Sequence, residues 1–140
     1  MFSRQAFRGC WLAVSVCIAT IGCSPRGPSP HGKVLFDDGE PVRSGSIEFR
    51  SLDDGQRYAG RIADDGAFVL RNKDDEAECP VGDYEVVVVQ IVSTEDLAID
   101  RHSHGRTVPR KYADYFTSGL QYSNDAERKE PITIELQSEQ

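Results

Sequence analysis

Residues 83–92 read DYEVVVVQIV. Six β-branched residues crowd positions 86–92, broken only by Gln90. So dense a β-branched run suits a strand that is central in a sheet or buried on both faces. Shorter runs of the same character flank it. Upstream, 33–36 is β-prone, and 46–50 (SIEFR) alternates, with Ile47 and Phe49 on one face and Glu48 and Arg50 on the other. Residues 57–62 (RYAGRI) alternate again, and 67–71 (AFVLR) follow. Downstream, 119–123 forms a short strand and 132–136 (ITIEL) alternates once more. Asp-Asp-Gly stands at 37–39, 53–55 and 64–66, each a tight reversal between strands. No segment from 32 onward reads as a helix.

Frequent turns and seven short strands predict an all-β fold, an antiparallel seven-strand β-sandwich. Alternation nominates Val34, Phe36, Ile47, Phe49, Ile62, Phe68, Leu70, Tyr84, Val86, Val88, Ile132, Ile134 and Leu136 as inward-facing. Each such side chain, fully buried, contributes about 1.5–3 kcal/mol. The 93–118 region is long for a sandwich loop, which marks it for function.

The whole chain has 140 residues and a formal charge of −7. That length fits one domain. An acidic balance excludes nucleic acid as a natural partner. The charge is uneven: residues 37–100 hold 6 bases and 17 acids, whereas 101–140 hold 6 of each.

The first 22 residues differ from the rest. They carry Arg4 and Arg8, no acid, and an apolar run at 11–21 (WLAVSVCIATI). A basic start before a short apolar run is a secretory signal, and the run is too short to span about 30 Å of hydrocarbon comfortably. Its end, Thr20-Ile21-Gly22-Cys23, resembles the lipobox of bacterial lipoproteins, with Thr20 standing where an aliphatic residue is usual. That resemblance implies diacylglyceryl attachment to Cys23, cleavage before it, and a membrane as partner. Ser24, in place of an Asp after Cys23, is compatible by the same resemblance with outer-membrane sorting; the expected location is the outer membrane or a periplasm-facing surface. Ordinary secretory cleavage with Cys23 unmodified and anchoring by an uncleaved signal are the alternatives. The expected organisation is a signal peptide at 1–22, a lipidated cysteine and flexible tether at 23–31, the β-domain at 32–136 and a tail at 137–140. Cleavage removes Cys10 and Cys17 and takes the charge from −7 to −9. With Cys23 acylated, Cys79 is left without an internal disulfide partner. Its acidic surroundings, 74–78 (DDEAE), raise its thiol pKa.

A second resemblance spans 32–136. Gly39-x-Pro41-Val42-x-x-Gly45-x-Ile47-x-Phe49, then Ala59-Gly60-x-Ile62-x-x-Asp65-Gly66-x-Phe68-x-Leu70, then Pro80-x-Gly82-x-Tyr84-x-Val86-x-Val88 look like successive motifs of carboxypeptidase-regulatory-like, or transthyretin-like, domains. Val108-Pro109-x-Lys111-Tyr112 and Ser118-Gly119-Leu120 are similar to small lipoproteins of planctomycete-type bacteria carrying that domain. The resemblance implies a prealbumin-like sandwich and a noncatalytic accessory or envelope module, and does not imply one ligand; envelope proteins or glycans are the expected partners.

The candidate ligand-binding residues lie in and after the long loop. Arg101, His102, His104, Arg106, Arg110 and Lys111 form a basic run with no acid from 101 to 113. Tyr112, Tyr115 and Phe116 adjoin it, with Tyr122 beyond. Such a group either pins a loop to the sandwich or offers a surface to an anionic group, glycan or peptide. His102 and His104 share a side of an extended chain, but a third metal ligand is not evident. The Asp-Asp-Gly turns lack the spacing of a calcium loop. The Tyr-Arg-Gly-Ser ending of transthyretin-like ureide hydrolases is missing, since the chain ends Gln137-Ser138-Glu139-Gln140. Lys33 faces no Asn or Asp in 132–136 for an isopeptide bond. No phosphate loop, zinc helix or Ser/His/Asp arrangement appears, so no catalytic residue and no cofactor is expected.

Overall fold

The computed structural model describes residues 28–90 and 106–138. Its strands are β1 (His31–Phe36), β2 (Ser46–Ser51), β3 (Arg57–Arg61), β4 (Ala67–Val69), β5 (Gly82–Val89), β6 (Leu120–Asn124) and β7 (Ile132–Leu136). They form two sheets, ordered β4-β1-β7 and β3-β2-β5-β6. The architecture is an all-β sandwich, as the alternation predicts.

All thirteen side chains nominated from the alternation are buried. Phe49 sits among aromatic rings, its centroid 5.3 Å from Tyr122, 5.7 Å from Tyr84 and 6.3 Å from Phe68. The rings are tilted against one another and so avoid the unfavourable face-to-face sandwich. β5 pairs with β2 on one side and β6 on the other, so the run at 83–92 supplies an interior strand. Val87, on its outer face, is buried as well. A 3-10 turn at Arg110–Ala113 and a single helical turn, α1 (Tyr115–Ser118), lie against β5. These two turns correct the expectation of no helix. Residues 91 and 92 fall outside the described residues.

The expectation of antiparallel pairing throughout is also corrected: β1 and β7 run parallel. β6 runs against β5 and ends at Asn124, opposite Gly82. The chain then crosses to the other sheet at the same end, so β7 starts beside Gly32, where β1 starts. The strands therefore define two ends. The entry end holds His31, the start of β5 and the end of β6. The far end holds Phe36, the start of β2 and the end of β7.

The Asp-Asp-Gly turns share one device. Asp38, Asp54 and Asp65 each accept the backbone N–H two residues on, at 3.0 Å, and a glycine at positive φ completes each reversal. At Gly66, a Cβ would also come within 2.6 Å of the Val34 carbonyl. These carboxylates are turn formers. Among the described residues, no group of three or more His, Cys, Asp or Glu side chains is arranged to hold a metal.

Candidate functional site

Residues 106–118 run as a strap from the far end onto the outer face of the four-stranded sheet. Arg106 fixes the start. Its guanidinium donates to Asp38 Oδ2 at 2.5 Å and to Ser138 Oγ at 2.7 Å, and lies 3.3 Å from Glu40. It also stacks 4.8 Å above the Phe36 ring. The Arg106 guanidinium and the Glu40 N–H together hold the Asp38 carboxyl below its ordinary value of 3.8. Next, the buried Val108 donates its N–H to Gln90 Oε1 at 2.9 Å, and Gln90 Nε2 donates to Ser44 Oγ at 3.0 Å.

The 3-10 turn follows Pro109 and drives Tyr112 into the core, where it is 3% exposed. Its hydroxyl accepts the Gln137 N–H at 2.8 Å, joining the strap to the end of β7. Asp114 caps α1 by accepting the Phe116 N–H at 2.7 Å, and Gly119 ends the turn in the left-handed region at φ 63°. Thr117 Oγ1 donates to the Lys111 carbonyl at 2.7 Å. Ser118, buried, donates from Oγ to the Val86 carbonyl at 2.6 Å.

Tyr115 lies over the outer sheet face. Its hydroxyl donates to Glu48 Oε1 at 2.8 Å, and the Arg50 guanidinium stacks 4.0 Å from its ring centroid. Arg50 in turn holds Glu85 across the β2–β5 pair, and Arg57 lies 3.5 Å from Glu48. Burial and the Glu48 carboxylate both push the Tyr115 phenol up.

The sequence-nominated group is thus divided by the fold. Arg106, Tyr112 and Tyr115 are committed to internal contacts. Arg110, Lys111 and Phe116 project outward, Phe116 with 95% of its surface exposed. Lys111 also lies 4.8 Å from the Tyr112 ring centroid. Arg101, His102 and His104 lie outside the described residues, as does Cys23. Sequence reasoning missed the roles of Glu48, Arg50, Gln90 and Ser118. Only the outward placement of Glu48 and Arg50 was signalled, by alternation in 46–50.

A second polar node closes the entry end. Asn124, 2% exposed, donates from Nδ2 to the carbonyls of Cys79 at 2.8 Å and Pro80 at 3.0 Å, and lies 3.4 Å from Cys79 Sγ. Tyr84 Oη donates to the Pro80 carbonyl at 2.7 Å. Cys79 is buried, and burial pushes its thiol up to about 11. Glu78 is the smallest of the causes, so desolvation, more than the acidic neighbours, sets the shift. A protonated, buried thiol is a poor nucleophile. A cleft of about 700 Å³ runs beside this node, between Pro30 and His31 on one side and Cys79, Pro80 and Arg128 on the other.

Compared with known proteins, the chain matches no family model, no curated protein and no solved structure.

Proposed function

We propose that this chain is an exported, lipid-anchored cell-envelope protein whose β-sandwich is a noncatalytic interaction or structural module. The observation that carries the proposal is the sequence Thr20-Ile21-Gly22-Cys23, followed by a Pro/Gly/Ser-rich stretch that stops where β1 begins at His31. A diacylated cysteine is a firm anchor, because each buried CH₂ contributes about 0.8 kcal/mol. Residues 24–30 then act as a tether that lifts the domain off the surface, and 32–136 form a transthyretin-like domain. The described side chains support a module that docks, because the groups chemistry would draw on are committed to structure. Cys79 is buried beside Asn124, and the Asp-Gly carboxylates cap their own turns. No helix among the described residues is long and apolar enough to cross a membrane.

The test is acyl labelling of the chain in a bacterial host. Label is expected on the wild type, with processing blocked by globomycin, and neither is expected in Cys23→Ala. Membrane retention of Cys23→Ala equal to wild type would overturn the anchor.

A further inference from the structure

We propose that Arg110, Lys111 and Phe116 form an interfacial contact that turns the outer face of the four-stranded sheet toward an anionic lipid bilayer. The inference rests on the anchored reading above.

Three large apolar side chains are strongly exposed among the described residues: Leu52 at 52%, Val81 at 55% and Phe116 at 95%. Their settings differ in charge. Leu52 precedes Asp53 and Asp54, and Val81 stands two residues before Asp83, so both sit among anions at the entry end. Phe116 lies on the helical turn that directly follows the 3-10 turn bearing the exposed Arg110 and Lys111, and Thr117 Oγ1 ties the two turns together at the Lys111 carbonyl. Arg50, Arg57 and Arg106 each have a carboxylate within ion-pair reach. Arg110 and Lys111 have none among the described residues, and the nearby Asp114 turns its carboxylate to the Phe116 N–H. An apolar ring beside two cations is the composition that the interface of an anionic membrane accepts.

The ring is also held in place. Asp114, Thr117 and Ser118 fix the turn by hydrogen bonds, and Tyr115 beside it is clamped between Arg50 and Glu48. A preorganised contact loses little conformational freedom on docking. The anchor has already surrendered the domain's translational freedom, so a weak contact suffices to orient it. Each cation near an anionic leaflet multiplies occupancy about fivefold. Pro30 is already held to the domain, its carbonyl accepting the Leu70 N–H at 2.9 Å, so the free tether is residues 24–29 and reaches roughly 20 Å when extended. That is enough slack for the domain to lie on its side. The loops of the entry end are net acidic, 71–78 by two charges (Asp74, Asp75, Glu76 and Glu78 against Arg71 and Lys73) and 125–130 by one (Asp125, Glu127 and Glu130 against Arg128 and Lys129), and are repelled by the same lipids. Attraction at the strap and repulsion at the entry end favour the same tilt.

The experiment uses the full chain with Phe116→Trp, Trp11→Phe, Cys10→Ser and Cys17→Ser. Cys23 is then the reactive thiol, because Cys79 is buried. Cys23 is coupled to a maleimide-headgroup lipid, so the result does not depend on whether a cell acylates it; failure of acylation in vivo would strike the anchor reading alone. The coupled protein is placed in vesicles of phosphatidylethanolamine with 30% phosphatidylglycerol, or of phosphatidylcholine only. The tryptophan at 116 is expected to shift blue and to be quenched by brominated lipid at least threefold more in the anionic vesicles. Arg110→Glu with Lys111→Glu is expected to return quenching to the phosphatidylcholine level. An unshifted emission, quenched by aqueous iodide equally in both vesicles, would overturn the proposal. So would quenching that the charge reversals leave unchanged, or an equal blue shift of the tryptophan at 116 produced by a soluble acidic protein without vesicles.

Discussion

The two ends of the sandwich are closed by different chemistry. At the entry end, a buried, neutral Asn124 ties down the Cys79 and Pro80 carbonyls. At the far end, a half-exposed Arg106 gathers Asp38, Glu40 and Ser138. Each node joins segments distant in sequence, yet burial gives them unequal weight. A buried carbonyl stripped of its donor costs its full desolvation, about 1–3 kcal/mol. An exposed ion pair contributes about 0–1 kcal/mol, because water and salt compete for it. The entry end is therefore where stability resides. The far end is where a strap can be held firmly in register without much of the fold depending on it.

The sharpest way to break this contrast is Asn124→Ala, which strips the Cys79 carbonyl of its side-chain donor, leaves the Pro80 carbonyl to Tyr84 Oη alone, and opens a cavity. It is expected to cost about 2–4 kcal/mol in urea unfolding. Ser118→Ala comes next: it frees the buried Val86 carbonyl at the strap's anchor and is expected to cost about 1–2 kcal/mol. Arg106→Ala is expected to cost only about 0.5–1.5 kcal/mol, most of it lost stacking on Phe36 and the Ser138 bond. Salt separates the two ends further. At 1 M salt the screening length is about 3 Å, so the cost of Arg106→Ala should shrink while that of Asn124→Ala holds. Equal costs for Asn124→Ala and Arg106→Ala, with equal salt dependence, would erase the contrast.

Titration should divide the ends as well. The Asp38 pKa is lowered in the folded state, so its contribution is fully present above the ordinary carboxylate value of 3.8 and is lost as pH falls through the lowered value. Asp38→Asn should flatten the acid limb of a stability–pH curve and leave the alkaline limb alone. Cys79 behaves in the opposite sense. Its pKa is raised from 9.0 to about 11, so its contribution is present below pH 9 and is lost as pH rises from 9 to about 11. Tyr58, Tyr84 and Tyr122, also raised by burial, extend that limb. The smallest expected signal is chemical: native Cys79 should resist iodoacetamide at pH 8, and Asn124→Ala should speed its labelling by opening the entry end.

How much the sequence reveals follows the same division. Period-two alternation displays the face of each strand, so Ile47, Phe49, Val86 and Ile134 are legible as core. The Asp-Gly turns are legible because the residue types and the geometry they favour coincide. The strap is not legible by these means. Tyr112 and Tyr115 are three residues apart on short turns, one aimed inward and one flattened on the sheet, and no alternation marks the difference. The Arg106–Asp38 and Ser118–Val86 contacts need both ends of a long chain path brought together, which spacing does not encode. The parallel β1–β7 pair was missed for a related reason, since its direction depends on which end the 125–131 crossing occupies. At Cys79, the acidic neighbours visible in the sequence pointed to the right direction of shift, whereas burial, visible only in the fold, supplies its main cause.

Mass spectrometry of the mature chain extracted from host membranes tests the central claim most directly. An N-terminal Cys23 carrying the mass of a diacylglyceryl group, lost together with membrane association in Cys23→Ala, is the predicted result. A mature chain with an unmodified Cys23, or one that begins elsewhere and still sediments with membranes, would contradict it.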